Sequence, residues 1–263
     1  MRGTGIAITL ILIEGVAGSA TGLAAQPSGS TDATTFEVRI ENVARRALKL
    51  SSGGAADIPF SPGVWVIHTG TNPILTPGEA APRVGLEGLA EAGMADAFAS
   101  NLRSLNGVRS SGAFSTPLGR ARGKMGPSPS DGGGRNVSRM LQVGQRFEFT
   151  VVAQPGDMLS LALMIAQSND GVVGSGKDGV ALFDASGRPV SGDITMQLGV
   201  WDVGTEVNED PGLGPNQGLR QGAAHAGDPE RAPVRPIGES PFGDRWPRVA
   251  GLLRVTISPK SGS

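Results

Sequence analysis

A period of two returns in short segments along this chain, and it constrains the fold more than any other feature. In TFEVRIENV, residues 35–43, Phe36, Val38 and Ile40 alternate with Glu37, Arg39 and Glu41. RFEFTVVA, residues 146–153, places Phe147, Phe149 and Val151 on one face, and ITMQLGVW, residues 194–201, alternates again. Successive side chains of a strand point to opposite faces, so each segment has one face to bury and one to wet. FSPGVWVIH at 60–68, GVALFD at 179–184 and LLRVTI at 252–257 read as further short strands. MLSLALMIA at 158–166 is nearly all apolar, as a central sandwich strand or a buried helix would be. Its length and the Gln-Pro-Gly-Asp turn before it favour the strand. Only LEGLAEAGMADAFASNL, residues 86–102, spaces its apolar residues for a helix, through Leu86, Leu89, Ala90, Met94, Ala97, Phe98 and Leu102. Gly88 and Gly93 weaken it, so it is expected to pack on a sheet. Seven or eight strands, one helix and no βαβ alternation give an all-β fold, an antiparallel β-sandwich.

The 41 Gly and 19 Pro fit a fold with many turns. Two stretches read as long connections: 104–139, a mobile low-complexity segment, and 205–248, rich in Pro, Gly and charge. The 23 Lys and Arg balance 24 Asp and Glu, which gives no reason to expect nucleic acid or an anionic membrane as partner. The N-terminus reads as an export signal: Arg2, the apolar run IAITLILI at 6–13, then small residues to Ala25. That run is short of the roughly 20 residues needed to cross a bilayer, and Glu14 interrupts the pattern. The expected organisation is a signal peptide at 1–25, a polar linker at 26–34 and one domain at 35–260. The product would be secreted or periplasmic, monomeric and not membrane-spanning.

Cys is absent, so thiol nucleophiles, thiolate metal sites and disulfides are excluded. The two His are His68, at a strand end and read as structural, and His225, in an Ala/Gly loop and read as exposed. No G-x-S-x-G occurs. Chemistry-bearing residues gather instead at strand ends. GVWDVGTEVNEDPG, residues 199–212, holds Asp202, Glu206, Glu209 and Asp210 without a Lys or Arg. MIAQSNDGVVG places Asn169 and Asp170 just after an apolar strand. If these ends meet at one edge of the sandwich, Asp170, Asp202 and Glu206 converge. Hard oxygens on Gly-bearing loops suit calcium, which takes about 6–8 oxygen ligands. Each residue also has a plainer reading: Asp202 as a turn cap before Gly204, Asn169-Asp170-Gly171 as a turn, and Glu209 and Asp210 as solvated loop charges. Two other readings use the same chain. One is an exported hydrolase with Asp170, Asp202 or Glu206 as acid, base or metal ligand. The other is a carbohydrate-binding module with Trp65, Trp201 or Trp246 exposed, although Trp201 ends an alternating strand and is expected in the core.

The order FSPGVWVIH, LEGLAEAG, LSLALMIAQSND and WDVGTEVNEDPG resembles the spondin domain, in particular bacterial exported members related to the N-terminal domains of F-spondin and mindin. The resemblance runs over about residues 35–258 and implies a C2-like sandwich with calcium at one end. It implies ligands at Asp170, Asp202 and Glu206, with Asn169 a weaker candidate. It also implies no catalysis, and a role in adhesion or recognition of a protein or glycan surface component. The chain departs from the resemblance in lacking Cys and in following Asn169-Asp170 with Gly-Val-Val.

Overall fold

A computed structural model describes residues 33–82, 85–122 and 139–260. The expected signal peptide lies outside the described residues, as does nearly all of the linker. The period-two segments form two antiparallel sheets, except that Thr195–Gln197 of the segment 194–201 is a 3-10 turn and its strand begins at Leu198. One has four strands in the order β10-β13-β1-β6. In it β1 (Thr34–Asn42) lies between β13 (Leu253–Pro259) and β6 (Arg146–Ala153), with the two-residue β10 (Gly192–Asp193) at the far edge. Phe36, Val38 and Ile40 are fully buried, and Glu37, Arg39 and Glu41 face outward. The second sheet has seven strands. Its path joins β12 (Arg235–Pro236), β11 (Leu198–Asp202), β8 (Gly171–Ser175), β7 (Met158–Ile165), β4 (Phe60–His68) and β5 (Val108–Phe114), with β9 (Val180–Ala181) also paired to β7. Leu48–Lys49 (β2) and Ala55–Ala56 (β3) make a small separate hairpin.

Apart from Ser160, β7 is apolar because both of its faces are covered. Leu159, Leu161, Leu163 and Ile165 join Phe36, Ile40 and Phe147 between the sheets. Ala162 faces the other way, with Val64 and Val66 of β4, under Leu86, Leu89, Phe98 and Leu102. The molecule is therefore an all-β sandwich with a small helical layer on the outer face of its larger sheet.

Two expectations need correction. The single helix is two, α1 (Leu86–Ala92) and α2 (Ala95–Leu102). Gly93 ends α1 in the left-handed region at φ 67°, and a Cβ there would stand 2.9 Å from Ser61 Cβ. The stretch 104–139 is not all connection, because it holds the edge strand β5. That strand is poor in apolar residues for a packing reason: the Trp65 indole lies over Gly112, where any Cβ would be 2.8 Å from the ring.

Candidate functional site

The β7–β8 turn and the end of β11 lie side by side, because Gly171 of β8 is the register partner of Asp202. The turn is held by Ser168, whose hydroxyl donates to Ile165 O (2.7 Å) and accepts from Gly171 N–H (2.9 Å). All four residues singled out in the sequence, Asn169, Asp170, Asp202 and Glu206, are buried in this loop crown.

Their surroundings divide them. Asp202 Oδ1 accepts from Gly204 N–H at 2.8 Å, the turn-capping geometry. Its Oδ2 accepts from Asn208 Nδ2 (2.7 Å) and pairs with Arg235 (2.8 Å). Asp202 thus has a counter-charge and no spare oxygen. Asp170 uses only Oδ2, which accepts from Thr205 N–H (2.7 Å) and Glu206 N–H (3.1 Å), while Oδ1 has no partner. Burial, together with the neighbouring charge of Asp202, pushes its pKa up to about 7. Glu206 Oε1 accepts from Gly227 N–H (3.0 Å) and Oε2 has no partner. Burial first and the charge of Glu91 second raise its pKa. Asn169 Oδ1 accepts from Glu209 N–H at 3.0 Å; its amide nitrogen lies beside Glu206 without meeting it in a hydrogen bond.

The structure adds residues that the sequence reading passed over. Glu91, on α1, is 1% exposed, and its Oε1 has no partner. Its Oε2 meets His225 Nδ1, and its carbonyl accepts from Gln221 Nε2. Gln221 is buried too, with Oε1 free. One donor atom from each of Glu87, Glu91 and His225 lies within 4.8 Å of the others. His225 is exposed, as expected, but its backbone is left-handed at φ 55°, and that conformation presents the ring to Glu91. One signal for the helical pair was available: Glu87 and Glu91 stand one turn apart on one helix, where like charges repel.

The second half of the acidic loop is not the solvated turn expected of it. Glu209 accepts from Asn216 through its N–H (2.9 Å) and Nδ2 (2.8 Å). Asp210 takes Ser51 Oγ and Arg245 (3.3 Å). These are clasps that tie the crown to its neighbours.

Among the described residues, the ligand atoms that come within 4.8 Å of one another are those of Glu87, Glu91 and His225; Asp170, Asp202 and Glu206 do not form such a group. Two carboxylates and an imidazole could hold a divalent cation, and the imidazole widens the choice beyond calcium. At the other end of β7, His68 Nε2 meets Ser160 Oγ at 2.8 Å. Both are buried. Asp157 nearby is held by Arg109 and by Gln154 N–H (2.8 Å), and His68 Nδ1 has no partner, so no Ser–His–Asp relay is assembled there. No protein-family model matches the chain, and no curated protein is detectably similar to it.

Proposed function

We propose that this chain is an exported, non-catalytic recognition module whose loop crown holds a calcium ion. One observation carries the reading: Glu91, 1% exposed, keeps a carboxylate oxygen without a partner and stands with Glu87 and His225 in a cluster whose ligand atoms lie within 4.8 Å of one another. A buried polar atom left without a partner costs roughly 1–3 kcal/mol, more where charge is involved. That cost is tolerable where a cation supplies the missing partner. Glu91, Glu87 and His225 would hold the ion, with Glu206, whose charge acts with that of Glu91, on its inner side. Asp202, neutralised by Arg235, would fix the loop rather than ligate. The ion would draw α1, the β7–β8 turn and the 205–227 loop together, making one rigid surface for a protein or glycan partner. The spondin resemblance and the N-terminal pattern support the adhesive role and the export.

The test is a thermal melt in EDTA with calcium, magnesium or zinc added back, for wild type, Glu206→Gln and Glu91→Gln. A ligand at a hundred times its dissociation constant stabilises by about 2.7 kcal/mol. A calcium-selective rise in Tm, lost in both variants, is the expected result. A zinc-selective rise lost in His225→Asn would replace calcium with a softer ion. No response to any cation would remove the metal from this reading.

A further inference from the structure

Half-buried guanidiniums in this molecule follow one pattern, with an exception. Arg139 meets Asp96 (3.1 Å), Arg146 meets Glu148, Arg235 meets Asp202 (2.8 Å) and Arg245 meets Asp210 (3.3 Å). Arg220 is half-buried too, but it forms no ion pair among the described residues. Its Nη1 donates to Gln167 Oε1 (3.0 Å) and to Gln217 Oε1 (3.4 Å), and both of these acceptors are neutral. Burial alone acts on its pKa, which it lowers; no carboxylate raises it. The carboxylates on adjoining loops are engaged elsewhere. Asp210 takes Arg245 and Ser51, and Asp57 takes Arg46 N–H at 2.7 Å.

The guanidinium is held in place by the chain around it. Gly212 N–H donates to Gln167 O (3.0 Å), Gly218 N–H to Ser168 O (3.2 Å) and Leu219 N–H to Ala166 O (3.1 Å), which zips residues 212–219 onto the segment after β7. Gly218 permits the approach, since a Cβ there would stand 2.9 Å from Met164 Cε. Gln167 and Gln217 are buried, and their amide nitrogens are tied to Asp57 O (3.3 Å) and Asp210 O (2.8 Å), so each presents its oxygen to Arg220. Arg220 Nε and Nη2 meet no acceptor among the described residues, and neither is sealed from solvent. The donor fork is thus fixed on one side and open on the other.

We propose that Arg220 is an anion site that takes the carboxylate group of a small organic acid from solution. Two observations select that chemistry. The four other half-buried guanidiniums are each met by a carboxylate, whose two oxygens match two parallel N–H groups of the fork. The site also supplies a single positive charge beside two amide oxygens, which accept and do not donate. It therefore neutralises a monovalent anion and leaves the second charge of a phosphate dianion uncompensated. No ion pair joins Arg220 to Glu87, Glu91 or His225, so the proposal stands apart from the cation reading.

The test follows the arginine Nε–H signals of the purified protein by NMR, after a chelating resin has removed metal. Sodium acetate, acetamide and sodium phosphate are titrated in turn, with sodium chloride holding the ionic strength constant. Acetate is expected to move the Arg220 signal saturably, acetamide to leave it in place and phosphate to bind several-fold more weakly than acetate. Gln167→Glu supplies the missing carboxylate from within the chain and should abolish the acetate response while raising Tm. Arg220→Lys keeps the charge but loses the fork. It should weaken acetate about tenfold, read from the backbone signals of residues 217–221. An Arg220 signal that acetate does not move, or that chloride moves equally, overturns the proposal, as does an undiminished acetate response in Gln167→Glu. Phosphate binding tighter than acetate overturns the choice of a carboxylate. Each of these failures leaves the cation reading where it stood.

Discussion

The two ends of the β4–β7 pair bury titratable groups in opposite ways. At the end where His68 faces Met158, each formal charge is matched or suppressed. Asp157, with no side-chain exposure, is paired to Arg109 and to a backbone N–H, and burial lowers the pKa of His68 so that it stays neutral. At the end where Phe60 faces Ile165, Asp170 and Glu206 are buried as carboxylates with raised pKa values, and only Asp202 has its own guanidinium. The same burial therefore has different consequences. One end leaves a neutral ring nitrogen, His68 Nδ1, without a partner, whereas the other leaves carboxylate oxygens so, which the proposed cation would meet.

Substitutions separate paired from unpaired charge by sign. Arg235→Met removes the counter-charge of Asp202, which is 1% exposed. Breaking a buried pair from one side costs about 3 kcal/mol, and this is the largest effect expected. Adding Asp202→Asn to that background should recover most of the loss, since no buried charge then remains. Denaturant unfolding in EDTA measures both. A loss in Arg235→Met that Asp202→Asn does not recover would mean that the guanidinium matters through packing instead. Asp170→Asn should behave in the opposite way. Without a cation it is expected to stabilise by about 1 kcal/mol, because it removes an uncompensated charge and can still accept at the Oδ2 position. With calcium present it should destabilise. Destabilisation under both conditions would show that the crown lacks no positive charge.

How much of this could be read from sequence follows from the kind of signal each part carries. β1, β6 and β7 were legible because burial on one or two faces writes itself directly into apolar spacing. β5 was not, because Gly112 and its Ser neighbours leave room for Trp65 instead of contributing apolar area. The break in the helix at Gly93 follows from its close approach to Ser61, a contact far away in sequence. Asp170 and Asp202 were legible as neighbours, since both sit at strand ends that the sheet order places together. Glu91 was hidden among Leu86, Leu89 and Ala90, where a helical pattern is read for its apolar members. Gln221 and His225 lie in a loop without periodicity, so only the tertiary fold brings them to Glu91.

The contrast extends to pH. Asp170 has a folded pKa of about 7 against an ordinary value of 3.8, so the folded protein holds its proton more tightly than the unfolded chain. Stability from this group is full below about pH 3.8, falls as pH rises from there and is gone above about 7. His68 has its folded pKa lowered below 6.5, so its contribution is full above about 6.5 and is lost as pH falls. Asp170 alone therefore makes cation-free stability fall between about pH 4 and 7 and level off above, while His68 offsets part of that fall just below pH 6.5. Asp170→Asn should flatten the fall, and His68→Gln should steepen it. Saturating calcium should deepen the contrast between wild type and Asp170→Asn above about pH 7. A Tm profile that Asp170→Asn leaves unchanged would mean that this carboxyl does not set the pH dependence.

The smallest expected effect sharpens the comparison most, because it alters no charge. A Cβ on Gly227 would stand 2.8 Å from the Glu206 carboxyl carbon and from Oε2, the oxygen left without a partner. Gly227→Ala therefore pushes on that acceptor. The neighbouring loop can yield by a few tenths of an ångström, so the cost to cation-free stability should stay below about 1 kcal/mol. Under the proposed reading, calcium affinity depends on where the Glu206 carboxylate stands and is expected to fall several-fold. Gly179→Ala makes the matching intrusion at the other end, 3.0 Å from His68 Nε2 and 2.8 Å from Ser160 Oγ, in a turn already at φ 77°. It should lower stability more than Gly227→Ala does and leave calcium affinity untouched. Titrating both proteins with calcium, beside their unfolding curves, decides the point. Equal losses of affinity would show that the cation responds to general loosening of the sandwich, whereas a loss confined to Gly227→Ala ties it to the Glu206 carboxylate.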